Sequence, residues 1–366
     1  MRVLDRQRFW SSVAPSTVSG LFVLSITGAV GSLLKPRLLT TPVPLWTLLA
    51  VAGPLLVLLC SILLHGPSPR RRAKRVFLVV SAFDQKHWVA ELIRNVHSVL
   101  EQHGYALELK TPYRDYSTVG QRHCLQLMLE HKDDYIGGFV IAVIPHDADR
   151  IQRDLTEFCA KIAVPVVFLD VEPFETEYHY PANTAFVGYS ATEIGEAAAE
   201  WVAEYLRRRN TARPNVLIVS GDSQHGRQQR FREVLSTKVS PLHLIEDNGY
   251  FDRLRAREVT RKQLKHAHLD GQQLDVIFCT NDEMALGSVD ALLFTDPAPA
   301  DTIVIGVDGT PQARALIEAG PSPLRATVAQ DSYKVAETGV DLLDRMIRNA
   351  QVPTRTLLPS DILTRD

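Results

Sequence analysis

Apolar residues follow two different patterns along this chain, and the change falls near Gly66. No charged residue stands between Phe9 and Leu34, nor, after Lys35 and Arg37, between Leu38 and Leu64. A hydrocarbon core of about 30 Å takes roughly 20 apolar helical residues to cross. Val43–Leu64 reaches that length, with Gly53-Pro54 as a kink of the kind membrane helices tolerate. The first run is richer in Ser, Thr and Gly and fits a span best over about 17–34, with Phe9 and Trp10 at its edge. Taken alone it also fits a signal peptide or a buried helix. A signal peptide should end in a small-residue cleavage site ahead of the mature domain, whereas here a second, longer apolar run follows. The expectation is a membrane hairpin over 1–66, with spans at about 17–34 and 43–64.

After Gly66-Pro67-Ser68-Pro69 and a basic linker, 67–74, apolar runs of strand length alternate with helical periodicity. Strands are expected at Val76–Ser81, after Gly104-Tyr105, and at Ile136–Val143, Val164–Asp170, Val216–Ser220, Val276–Thr280 and Thr302–Val307. Helices are expected at Trp88–His103, Asp149–Ala163, Glu193–Arg208, Asp282–Leu293 and Ser332–Asn349. Continuous apolar strands separated by helices imply a parallel sheet covered on both faces. There are too many such units for one sheet, so 75–366 is expected to form two doubly wound α/β lobes.

Charge and cysteine usage narrow the picture. A net charge of −2 argues against a nucleic-acid partner held by a broad basic surface. The four cysteines are scattered without CxxC spacing, so neither zinc nor a disulfide framework is indicated, and a reducing compartment fits. Basic residues flank the apolar runs: Arg2, Arg6 and Arg8 before the first, and Arg70, Arg71, Arg72, Lys74 and Arg75 after the second. By the positive-inside rule both ends of the hairpin lie on the cytoplasmic side of an inner membrane.

The candidate chemistry sits where strands stop. In open α/β sheets ligands bind at the carboxyl ends of strands, and Asn281 and Asp308 stand at two such ends. An amide and a carboxylate beside one cleft suit a hydroxyl-rich small molecule. Asn281 and Asp282 both also fit as helix caps; Asn281 is read as site and Asp282 as cap. Glu283 fits solvent in the first helical turn. No G-x-S-x-G, HExxH, P-loop or early G-x-G-x-x-G motif is present, so no enzyme, metal or cofactor is expected. The carboxylates Asp170 and Asp308 would serve a glycosidase only with a raised pKa beside a scissile bond.

Several segments in order carry a family resemblance: Val79-Val80-Ser81-Ala82-Phe83-Asp84, Phe168-Leu169-Asp170, Asn281-Asp282-Glu283-Met284-Ala285-Leu286-Gly287, Gly306-Val307-Asp308-Gly309-Thr310 and Ala326-Thr327-Val328-Ala329-Gln330. From Arg75 onward the chain resembles the ribose/galactose class of type I periplasmic binding proteins, whose fold the ligand domains of LacI-type repressors share. The resemblance implies that Asp170, Asp308, Asn281 and Gln330 meet ligand hydroxyls. It implies the same of Arg227, with Arg230 or His225 as alternatives at that place. Trp88 and Phe251 match aromatic positions that pack on a sugar ring, and Gln85 and His87 match the first ligand loop. As departures, Val171 stands where ribose-binding members have an arginine, and His87 replaces an aromatic. Apart from the resemblance, Trp88 and Phe251 also fit as core rings, Arg227 as a helix charge, and Gln85 and His87 as loop residues.

The resemblance further implies three crossings between lobes, near 184–186, 330–331 and 351–353. Lobe 1 would then span about 75–184 and 331–351, and lobe 2 about 185–330 and 352–366. Such lobes close on a hinge around a carbohydrate or nucleoside-like ligand. With the hairpin attached, the leading expectation is a sensor on the lipid bilayer, as a homo-oligomer, passing closure to the membrane. The alternative is an exported substrate-binding protein for sugar uptake or chemosensing. A transcription regulator would need a DNA-binding element that the sequence lacks.

Overall fold

A computed structural model describes residues 74–82, 87–143, 148–174, 176–221, 226–295 and 301–365. The expected spans at 17–34 and 43–64 lie outside the described residues, as do Gln85 and His225. Among the described residues no helix is long and apolar enough to cross a membrane. They fall within one compact unit, Ala73–Asp366.

Two six-stranded sheets organise this unit. The first comprises β1 (Lys74–Val79), β2 (Tyr105–Lys110), β3 (Tyr135–Val140), β4 (Val166–Asp170), β5 (Thr184–Tyr189) and β11 (Arg355–Leu358), in the order β11-β5-β4-β3-β1-β2. The second comprises β6 (Asn215–Ser220), β7 (His243–Asn248), β8 (Val276–Cys279), β9 (Ile303–Asp308), β10 (Leu324–Ala329) and β12 (Asp361–Thr364), in the order β12-β10-β9-β8-β6-β7. The orders superpose strand for strand, so β4 and β9 are counterparts, as are β1 and β6, β2 and β7. All pairings are parallel except that β12 runs antiparallel to β10 at a sheet edge.

Helices follow the strands: α1 (His87–Gln102), α2 (Thr118–Glu130) and α3 (Ala148–Ile162) in the first lobe, then α4 (Ala191–Arg208), α5 (Gly226–Lys238), α6 (Arg253–Leu269), α7 (Asp282–Leu293) and α8 (Pro311–Ala319) in the second. The chain then returns to the first lobe as α9 (Ser332–Ile347), which packs on α1 and on β3 to β5. Central strands are wholly apolar on both faces because helices cover both. Val76–Val79 and Val216–Val219 are without exposure. One apolar cluster draws residues from both sheets, Tyr189, Ile194 and Val335 among them, while two further clusters each belong to one lobe.

Two expected crossings move. β5 pairs with β4 as far as Asp170↔Gly188, so the first crossing comes at Ser190, the N-cap of α4, and not at 184–186. Arg355–Leu358 first pairs with β5, so the last crossing lies between Leu358 and Asp361 and not at 351–353. The middle crossing, between β10 and α9, spans Gln330-Asp331, where Asp331 N–H donates to the Tyr189 hydroxyl at 2.7 Å.

Candidate functional site

Asp170 and Asp308 end the counterpart strands β4 and β9, and both take positive φ, 67° and 111°. Side chains other than glycine rarely adopt this region, aspartate being among the more tolerant. Such a conformation costs of order 1–3 kcal/mol and persists only where its surroundings over-determine it, most often at functional sites. At Asp308 the surroundings are explicit. Its carbonyl accepts the Gln330 N–H at 3.1 Å, and the next turn is clamped from below by Asp282. The two oxygens of Asp282 accept the Thr310 N–H at 2.7 Å and the Thr327 hydroxyl at 2.8 Å, and Thr327 in turn accepts the Gly309 N–H at 3.2 Å. A Cβ at Gly306 would lie 2.2 Å from Asp282 Oδ1, so only glycine lets the carboxylate lie against the strand.

This corrects the reading of Asp282 as a cap. The cap of α7 is Asn281, whose Oδ1 accepts the Met284 N–H at 2.9 Å, while Asp282 is fully buried beneath the site. Capping occupies one end of the Asn281 amide. Sequence reasoning undervalued Asp282 as a buried support of this turn; the signal was its place between a strand end and an apolar helix face.

Arg227, at the start of α5, joins three parts of the second lobe. Its guanidinium donates to the Thr280 carbonyl at 2.8 Å, reaches Asp308 Oδ1 at 3.5 Å and donates to Gln330 Oε1 at 3.2 Å. Arg230 turns away to Glu196 on α4, at 2.8 Å. Arg227 is therefore the arginine that lies beside the strand-end residues, and Arg230 is not.

In the first lobe the Trp88 indole, buried on α1, donates to Asp170 Oδ1 at 2.9 Å. His87, one residue earlier, is exposed. Val171, the residue after Asp170, is half-buried and packs against the apolar cluster of its lobe. In the second lobe the Phe251 ring covers the end of β6, where a Cβ at Gly221 would meet it at 2.1 Å. Tyr116, which the sequence reading passed over, meets Phe251 with ring centroids 5.4 Å apart and planes at 43°.

The electrostatics link the lobes. Burial raises the carboxyl pKa of Asp170, opposed by Arg227 from the other lobe and by the Trp88 hydrogen bond. Burial raises that of Asp308 well above the ordinary aspartate value, Arg227 opposing and Asp282 and Asp170 adding to the rise. Burial pushes Asp282 up to about 6 against the hydrogen bonds of Thr310 and Thr327. The structure thus brings Trp88, Asp170, Arg227, Phe251, Asn281, Asp308 and Gln330 to the facing strand ends of two lobes. Such a set offers acceptors at Asp170 and Asp308, a fixed cationic donor, amides and flat apolar rings.

Comparisons with known proteins agree with this architecture. The ribose import binding protein RbsB of Salmonella typhimurium is 26% identical over 226 residues, covering 60% of this chain and 69% of the relative. The D-allose-binding periplasmic protein of Escherichia coli is 27% identical over 163 residues, 43% of this chain and 49% of the relative. An ABC transporter periplasmic solute-binding protein from Actinobacillus succinogenes, solved with bound D-allose, shares the fold at a TM-score of 0.68 and 18% identity. It covers 80% of this chain and 98% of its own. A solute-binding protein from Bacillus halodurans with bound myo-inositol has a TM-score of 0.67 at 19% identity, over 80% of this chain and 94% of its own. The family model described as periplasmic binding protein domain matches residues 76–351, and the chain belongs to that family.

Proposed function

We propose that the protein reversibly binds a small polyhydroxylated ligand, of the sugar or cyclitol class, between the strand ends of its two lobes. The observation that carries this reading is the facing pair Asp170 and Asp308, each held at a positive-φ strand end, with Arg227 influencing both. Ligand hydroxyls donate to the two carboxylates and accept from Arg227 and the amides, while Trp88 and Phe251 pack on the apolar face of the ring. A ligand that touches both lobes favours their closed arrangement by its differential affinity. Relatives named for ribose and D-allose, and structures holding D-allose and myo-inositol, support this class.

The role that fits best is recognition in sugar uptake or chemosensing. A second reading, a bilayer-attached sensor, is favoured by the uncharged runs Phe9–Leu34 and Leu38–Leu64 and by the basic residues that follow. Calorimetric titration of the full chain with D-ribose, D-allose and myo-inositol tests the binding, with saturation at one site per chain expected for at least one of them. Protease accessibility of the C-terminus in intact and opened cells separates the roles. An outside domain supports uptake, and an inside domain supports the sensor.

A further inference from the structure

Tyr116 and Phe251 occupy matching places in the two lobes. Tyr116 follows β2 and directly precedes Ser117, the N-cap of α2; Phe251 follows β7 and directly precedes Asp252, the N-cap of α6. Both have φ of 56°. Each turn is tied back to the first strand of its sheet, Tyr116 N–H donating to Ser81 O beyond β1 and Gly249 N–H, two residues before Phe251, donating to Ser220 O at the end of β6, each at 2.8 Å. An aromatic residue at positive φ is a strained choice, so two counterparts held there indicate that the turns are built to aim these rings.

The rings aim at each other. They touch across the lobes, and Tyr116 packs on the apolar cluster of the second lobe to which Phe251 belongs. Aromatic pairs in tilted or offset geometry favour contact by roughly 2- to 10-fold beyond the effect of the area they bury. A contact of that size between two hinged bodies shifts their equilibrium several-fold with no ligand present. The phenol is raised in pKa by burial and by Asp170, Asp115 and Asp308, so it stays neutral and adds no charge to the cleft.

We infer that Tyr116 is a positioning residue of the site: with Phe251 it forms a ring latch that draws the lobes together beside the facing strand ends. The inference rests on the proposed reading that the cleft binds ligand, yet the latch acts before ligand arrives. It lowers the closure energy that a ligand must supply, and it bounds the site on the β1 and β6 side.

Spin labels at Glu130→Cys, at the far end of α2, and Asp270→Cys, just beyond α6, report lobe separation by pulsed dipolar spectroscopy. In the ligand-free full chain, Tyr116→Ala and Phe251→Leu are expected to shift the distribution to longer distances. Tyr116→Phe, which keeps the ring, should leave it in place. The double variant Tyr116→Ala/Phe251→Leu should open little further than either single change, because each already breaks the ring contact between the lobes. Circular dichroism confirms folding, and the leucine variant keeps apolar filling near Gly221 should the alanine variant fail to fold. Unchanged distances in Tyr116→Ala and Phe251→Leu, or additive opening in the double variant, would overturn the latch. If the distances shift while D-ribose, D-allose, myo-inositol and a wider set of aldoses and polyols all fail to bind the wild type, the latch stands and the ligand class is wrong.

Discussion

The Trp88 indole N–H donates to Asp170 Oδ1 at 2.9 Å, so a buried aromatic residue of α1 is tied to the carboxylate that ends β4. Trp88→Phe keeps most of the ring and removes the donor. Hydrogen bonds to charged groups contribute about 1.5–3 kcal/mol, and part of that is regained from water. If the proposed site is right, the variant is expected to bind its ligand about 10-fold more weakly, with melting temperature little changed. Calorimetric titration beside a thermal melt checks this, and an unchanged affinity would remove Trp88–Asp170 from the site.

Asp308 gives a dependence on pH with opposite signs for stability and binding. Its folded pKa lies above the unfolded value, so between the two the folded chain holds more protons and stability falls as pH rises. That stability is complete below about pH 4, the ordinary aspartate range, and is lost as pH climbs through the raised folded value. Asp308→Asn removes the titration while leaving an oxygen for Arg227. The ligand-free variant should therefore melt above the wild type at pH 8, with the gap closing as pH approaches 4.5. Its affinity should be lower by about 10- to 100-fold at pH 8, as expected for loss of a charged acceptor. Melting curves and titrations of both proteins across pH 4.5–8 test the two signs independently.

Asp282 touches no cleft surface, yet it holds the turn that presents Asp308. Asp282→Ala strands the Thr310 N–H and the Thr327 hydroxyl in a buried place, at about 1–3 kcal/mol for each group left unsatisfied. We expect the urea midpoint to fall by the equivalent of about 3 kcal/mol, with ligand affinity falling in the protein that remains folded. An unchanged midpoint would mean that the turn is held by other contacts.

Of the twelve strands among the described residues, seven were legible as apolar runs, while β5, β7, β10, β11 and β12 were not named. Val76–Val79, Val166–Leu169 and Ile303–Val307 are buried on both faces, and nothing else in the pattern competes. α6 was not legible: it buries only Ala256, Thr260 and Leu264, a stripe too thin to stand out among its arginines and lysines. Nor was β11, a four-residue edge strand that is half-buried throughout. At the candidate site, Asp170, Asn281, Asp308 and Gln330 could be named from motifs that fall in order, and Arg227 only as one of three alternatives with Arg230 and His225, but the interlocking of Asp282 with Thr310 and Thr327 is a tertiary fact. Tyr116 was missed for a similar reason. Its match with Phe251 is plain only when the two lobes are set side by side, each aromatic preceding a helix cap after the second strand of its sheet.

The central claim is that Asp170 and Asp308 together hold a small hydroxyl-rich ligand between the lobes. Thermal-shift titration of the full chain with D-ribose, D-allose, myo-inositol and a wider set of aldoses and polyols tests it most directly, since a ligand that binds only the folded form raises the melting temperature. The account predicts a saturable rise for at least one compound in the wild type, abolished in the Asp170→Asn/Asp308→Asn variant. No rise across the whole set, or a rise that survives the double substitution, would contradict it.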